Sequence, residues 1–287
     1  MKPSTLLMLL LLLAPACFAA APKSFSVAVH GTGQPMILIP GLECPGEVWQ
    51  SVIAHYQAKY QVHSLTLAGF AGELAVPGLR LADVRDDLIR YIREKKLARP
   101  VIAGHSLGGF LALWIAASAP DLVGRVISVD GLPFLPALMN AAATADESKA
   151  SAAQMRSLYA SLTPEQLENM TRMALGQMIS DAGDIGRVTK WAARSDAAFV
   201  GQAMYDLMTT DLRPEMRQVS VPLLLIGAGK AFASNPEQLV HVRAAYESQV
   251  AAVPGHQVVM AQRALHFIML DDPEFLLGAM DGFLEGR

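Results

Sequence analysis

From residue 36 onward, short apolar runs rich in β-branched residues alternate with longer segments of helical character, and this alternation restricts the chain to an α/β architecture. The strand-like runs fall at 36–39, 61–67, 100–103, 126–129, 222–226 and 257–261. Helical patterns fall at 47–57, 81–96, 107–119, 236–246 and 273–284. Strands that alternate with helices read as a parallel sheet covered on both faces. A further β-rich run, 25–30, precedes these, and Gly31-Thr32-Gly33-Gln34-Pro35 between it and 36–39 predicts a hairpin.

The alternation breaks between about residues 132 and 214, where no strand pattern occurs and the residues read as helical throughout. We read this stretch as an all-helical cap inserted between two strands of a core formed by 22–131 and 215–287. Thr163-Pro164-Glu165-Gln166 is a capping box with proline at the first helical position, and it predicts a helix burying Leu167, Met170, Ala174 and Met178. Eight of the fourteen methionines lie between Met139 and Met216. Thioether side chains adapt to irregular apolar surfaces, so this region can serve either to pack the cap or to line an apolar substrate site.

Composition narrows the partners. A net charge of −3, from 23 basic and 26 acidic residues, leaves no electrostatic footprint for nucleic acid. Met1-Lys2, the apolar run Leu6 to Leu13 and the small residues Pro15 to Ala21 read as a secretory signal peptide over 1–21, giving a periplasmic or secreted protein with no retained membrane span. Cys17 is a weaker alternative as a lipid-attachment site, since Ala14-Pro15-Ala16 lacks the branched residue expected upstream of one. Cleavage would leave Cys44 as the single cysteine, so no internal disulfide is expected, and Cys44 reads as buried filler. Oligomeric state has no signature in the sequence.

Chemistry concentrates at Gly104-His105-Ser106-Leu107-Gly108-Gly109, which follows the apolar run 100–103 and opens the helix 107–119. A G-x-S-x-G sequence in a strand-to-helix setting places its serine on a sharp, strained turn, with glycines two before and two after it where side chains would clash. On these residues the chain resembles the α/β-hydrolase superfamily, from about Phe25 to Phe283 apart from the cap. The resemblance implies a mostly parallel, eight-stranded sheet flanked by helices, with a nucleophile, an acid and a histidine on loops at its carboxyl edge.

Ser106 is the nucleophile on this reading. His266, after the run 257–261 and before the last helix, occupies the family's general-base position, and a weakly nucleophilic serine needs such an imidazole. The oxyanion hole is assigned to the backbone amides of Leu42 and Leu107, with Gly41 allowing close approach. Pro40 stands where the family usually has a histidine. His30-Gly31-Thr32-Gly33 mimics the family's His-Gly signature but precedes the run 36–39 instead of following it.

The acid is the open position. Many relatives carry it after the strand equivalent to 222–226, where Gly227-Ala228-Gly229-Lys230-Ala231-Phe232 has no carboxylate and the next acid is Glu237. We assign the role to Asp130, after the run 126–129, because that strand should lie beside the Ser106 strand and an acid there would orient His266 and stabilise its protonated form. No nucleotide-binding glycine motif and no metal-ligand spacing occurs, so neither a cofactor nor a metal is expected. The expected activity is hydrolysis of a small, ester-like substrate, a carboxylic ester, lactone or thioester, through an acyl-enzyme. Two alternatives stay open: a noncatalytic binding protein on the same fold, and carbon–carbon bond cleavage by the same residues.

Overall fold

A computed structural model describes residues 24–232 and 235–286; the signal-peptide segment and Cys17 lie outside these. Seven strands, β1 (Phe25–His30), β2 (Gln34–Ile39), β3 (Tyr60–Leu67), β4 (Val101–His105), β5 (Arg125–Val129), β6 (Leu223–Ala228) and β7 (Gln257–Ala261), form one sheet in the order β1-β3-β2-β4-β5-β6-β7. All neighbours are parallel except β1, which runs antiparallel to β3. Among the described residues the sheet therefore has seven strands instead of the eight that the resemblance implied, and seven is the number of strand-like runs in the sequence.

The hairpin expected around residues 31–35 does not form. β1 and β2 lie on opposite sides of β3, so the turn between them passes under the start of β3. Two strand spacings, about 9.6 Å, lie within reach of three extended residues. The crossing is tight enough to demand glycine: a Cβ on Gly31 would stand 2.0 Å from the Gln57 carbonyl, and one on Gly33 would stand 2.2 Å from that of Lys59. Both residues also have positive φ, 70° and 125°. This turn sits at the amino edge of the parallel strands, away from the edge that carries Ser106, so His30-Gly31 has no part in an oxyanion site there.

Helices cover both faces as the alternation required. The pleat sends Ile37, Ile39, Leu65, Leu67, Ile102, Val126, Leu223 and Leu225 to one face, where they pack with α2 (Leu81–Glu94), α3 (Leu107–Ser118) and α9 (Pro236–Val250). Met36, Leu38, Val62, Val101, Ala103, Ile127, Val129, Leu224 and Ile226 point the other way, against α1 (Gln50–Tyr56) and α11 (Pro273–Leu284). Strands apolar on both faces are what a doubly covered parallel sheet requires.

The inserted helical region between β5 and β6 contains α4 (Ala145–Ala160), α5 (Pro164–Leu175), α6 (Ala182–Ala192) and α7 (Ala197–Thr209). The capping box forms: Thr163 Oγ1 accepts from the Gln166 amide at 3.2 Å, and Gln166 Oε1 accepts from the Thr163 amide at 2.8 Å. The buried face of α5 differs from the expected one. It comprises Leu167, Thr171 and Leu175, a single i, i+4, i+8 row, while Ala174 is exposed and Met178 lies beyond the helix end. The polar Thr171 faces inward because a buried carboxyl, that of Glu43, meets it there. The region's methionines are not mainly packing residues: Met216 is buried, whereas Met139 and Met173 are 84% and 81% exposed.

Two short helices, α8 (Gly229–Phe232) and α10 (Ile268–Asp271), follow β6 and β7. Among the described residues no helix is long and apolar enough to cross a membrane.

Candidate active site

The strand order reverses at β2. The chain moves from β2 to β3 on one side and returns to β4 on the other, leaving a crevice outside the carboxyl ends of β2 and β4. Register aligns the edge: Ile39 is opposite Gly104, His105 opposite Val129, and Ala228 opposite Ala261. Loops leaving these strands carry Leu42, Ser106, Asp130 and His266.

Ser106 joins β4 to α3 with φ 53° and ψ −116°, outside the regions a serine ordinarily occupies. The turn is sharp because backbone touches backbone. A Cβ on Gly104 would lie 2.0 Å from the Gly108 carbonyl oxygen, and one on Gly108 would lie 2.2 Å from that of Ile39. The Ser106 amide donates to the Val129 carbonyl at 2.8 Å, tying the turn to β5. Ser106 itself is only half-buried amid neighbours that are fully buried.

Asp130 leaves β5 with φ 52° and is 8% exposed. Its amide donates to the Ile226 carbonyl at 2.7 Å, which turns its side chain toward the end of β6. Oδ1 accepts from the Ala228 amide at 2.8 Å and from the Tyr246 hydroxyl at 2.6 Å. Oδ2 stands 2.5 Å from Nδ1 of His266. The other candidate acid, Glu237, lies exposed in the first turn of α9. The carboxylate-free stretch Gly227 to Phe232 thus contributes a backbone donor to Asp130, the Ala228 amide at the end of β6.

Tyr246 had escaped sequence reading. It lies on α9, a helix with no clear apolar stripe, and nothing near it in the sequence marks it as a partner for Asp130. Burial, and then the neighbouring Asp130 charge, hold its phenol protonated well above the usual range, so it acts as a fixed donor.

His266 is braced on its backbone. His105 Nε2–H donates to the His266 carbonyl at 3.0 Å, and the two rings are 4.6 Å apart. Burial, and then the proximity of His266, depress the His105 pKa well below the usual value, so His105 is a neutral prop and does not itself titrate near neutrality. From the inserted helices, the Met178 carbonyl accepts from the Phe267 amide at 3.1 Å. Asp271 accepts from Ser180 Oγ at 2.8 Å and from the Leu265 amide at 2.8 Å. His266 Nδ1 faces Asp130, leaving Nε2 as the nitrogen available to Ser106. Ser106 Oγ makes no capping bond in this resting arrangement, and contacts of this kind commonly tighten only when substrate binds.

Leu107 opens α3 and Leu42 follows β2, so both backbone amides lie at the crevice. Among the described residues neither N–H donates to another group of the protein. Cys44, two residues on, is fully buried, and burial followed by the Glu43 charge pushes its thiol far above the usual range, which removes it as a nucleophile. No group of three or more His, Cys, Asp or Glu side chains is placed to hold a metal among the described residues.

Comparison with known proteins agrees with this architecture. The chain belongs to the alpha/beta hydrolase family, whose model matches residues 27–279. It is 22% identical over 256 residues to the pimeloyl-[acyl-carrier protein] methyl ester esterase of Aliivibrio salmonicida, covering 89% of this chain and 94% of that protein. The enzyme of the same name from Nitrosomonas europaea is 24% identical over 210 residues, 71% of this chain and 79% of that protein. Among solved structures, the enol-lactonase from Burkholderia xenovorans LB400 superposes with a TM-score of 0.72 at 16% identity, over 91% of this chain and 96% of that one.

Proposed function

We propose that this protein is a serine hydrolase that cleaves a carboxylic ester or lactone through an acyl-enzyme on Ser106. The observation that carries the reading is the 2.5 Å contact between His266 Nδ1 and Asp130 Oδ2 at the sheet edge where the strained Ser106 turn emerges. In acylation, His266 Nε2 takes the Ser106 hydroxyl proton as Oγ attacks the substrate carbonyl, and the oxyanion draws on the Leu42 and Leu107 amides. His266 then returns that proton to the leaving alkoxide, and the acyl group stays on Ser106. Water, activated by the same imidazole, releases the acid.

Asp130 holds His266 in the Nδ1–H tautomer and stabilises the imidazolium formed at each step. The relatives support the ester and lactone class through the bonds their names specify, a methyl ester and an enol-lactone. We also propose that the leader is removed and that the mature protein acts outside the cytoplasm; the N-terminal sequence of protein recovered from a periplasmic fraction checks this.

The test is labelling with a fluorophosphonate probe alongside hydrolysis of p-nitrophenyl esters. Wild type should label and turn over, and Ser106→Ala should lose both, with turnover down at least ~10³-fold. A folded wild type that neither labels nor hydrolyses any ester would instead favour a binding protein on this fold.

A further inference from the structure

Glu43 is a buried carboxyl that the mechanism above leaves unused. It follows Leu42 directly, so its Cα lies about 3.8 Å from that of the residue whose amide faces the oxyanion. Its backbone has φ 61°, a left-handed conformation unusual for glutamate, and the residue is 6% exposed. Burying an acid this deeply without compensation is costly. The compensation here is slight: Thr171 Oγ1 on α5 donates to Glu43 at 3.2 and 3.3 Å, and no basic side chain pairs with it among the described residues.

The surrounding groups offer no counter-charge. On the same loop stands the protonated Cys44 thiol, and from α4 comes Tyr159, whose phenol is raised by burial and then by Glu43. On α5 the charged residues Glu168 and Arg172 pair with each other on the outer side. Glu47, after the loop, is exposed. Toward the catalytic edge, two residues before Glu43, a Cβ on Gly41 would stand 2.7 Å from Nδ1 of His105, and His105 is neutral. Beyond it, His266 is engaged with Asp130.

We infer that Glu43 is a positioning residue of the oxyanion loop that works as the neutral acid, seating the Leu42 amide against α5, and that its ionised form opposes the negative charge the oxyanion hole must hold. The inference rests on the serine-hydrolase reading. A carboxylate several ångströms from a developing oxyanion, at an effective dielectric of about 20, slows the step roughly ten- to a hundredfold. Burial raises the Glu43 pKa to about 7, against the Thr171 hydrogen bond, which lowers it. The loss of rate should therefore set in near neutrality, as alkali removes the proton.

The experiment measures kcat and KM for p-nitrophenyl butyrate between pH 5.5 and 9, less the uncatalysed rate, in wild type, Glu43→Gln and Thr171→Val, with fluorophosphonate labelling of each. Wild type should show an alkaline fall in kcat centred near pH 7 and amounting to tenfold or more. Glu43→Gln, which keeps the shape and the Thr171 partner, should flatten that limb so that kcat no longer falls between pH 6 and pH 9. Thr171→Val removes a donor to the carboxylate and should move the limb to higher pH, a displacement that loosened packing alone would not produce. A wild type with no alkaline fall overturns the inference, as does a folded, labelled Glu43→Gln that retains the fall. Hydrolysis that survives Ser106→Ala overturns this inference and the serine reading together, whereas intact Ser106 labelling with an unmoved limb sinks the role of Glu43 alone.

Discussion

Asp130, on the loop after β5, and Glu43, on the loop after β2, are both buried carboxyls with positive φ at the same edge of one sheet, yet their surroundings oppose each other. Three donors converge on Asp130: an amide, a phenol and an imidazole. Glu43 has one neutral hydroxyl, and that hydroxyl comes from the inserted helices and not from the sheet. Burial by itself therefore does not decide what an acid does. The donors around it decide whether the protein can hold its charge. The β5–β6 side is a finished electrostatic site, and the β2 side is one whose charge the fold resists.

The contrast breaks most visibly at Asp130. Asp130→Asn should lower kcat about 10³- to 10⁴-fold, because an amide no longer stabilises the imidazolium, while circular dichroism still reports a native fold. Retention of more than a tenth of the wild-type rate would remove Asp130 from the mechanism.

Next in size is a stability effect at Glu43. The unfolded chain releases this proton near pH 4.3, whereas the folded protein keeps it to about pH 7, so folding takes up a proton in between. Its contribution is therefore favourable at low pH and declines as pH rises through that window. Urea unfolding at pH 5 and pH 8 should show wild type losing about 2.5 kcal/mol more than Glu43→Gln over this interval. Equal pH dependence in the two proteins would mean that the carboxyl is better solvated than its burial implies.

A smaller effect tests the donor side. Tyr246→Phe deletes one hydrogen bond to a carboxylate and leaves the ring in place, so about 1.5–2 kcal/mol of stability should be lost, with kcat falling severalfold. Thermal unfolding and steady-state rates measured on one preparation check both. The smallest change is expected at Ser180→Ala, which removes one bond between the inserted helices and Asp271 on the His266 loop. Ser180 is exposed and its bond is backed by the Met178–Phe267 backbone bond, so the change should cost under about 1 kcal/mol and leave Ser106 labelling intact.

Much of this edge was legible before any coordinates. Gly104-x-Ser106-x-Gly108 between an apolar run and a helix marks its own turn; the crowding at Gly104 comes from the nearby Gly108 backbone, whereas that at Gly108 comes from Ile39 on β2 and exists only in the folded sheet. The Thr163 capping box and the last helix, Pro273–Leu284, are likewise written in adjacent residues. The pairing of β4 with β5 was expected and forms, but the path of the chain from β1 to β2 was not legible. The 31–35 turn carries the residues of a hairpin, but β3 intervenes between β1 and β2, and no local signal distinguishes a turn that reverses the chain from one that crosses beneath a third strand. The inward face of α5 was displaced for a similar reason, since Thr171 is drawn inside by an acid 128 residues earlier.

What the sequence determined by itself is what short-range signals and periodicity carry: an α/β sheet, a sharp turn at Ser106 after β4, and a histidine placed after β7. Tertiary structure alone decided the partners. It brought His266, Tyr246 and the Ala228 amide to Asp130, and among the described residues it gave Glu43 a single neutral hydroxyl. Hydrogen bonds and desolvation act between groups brought together from distant parts of the chain, and their balance at a carboxyl exists only once those groups have met.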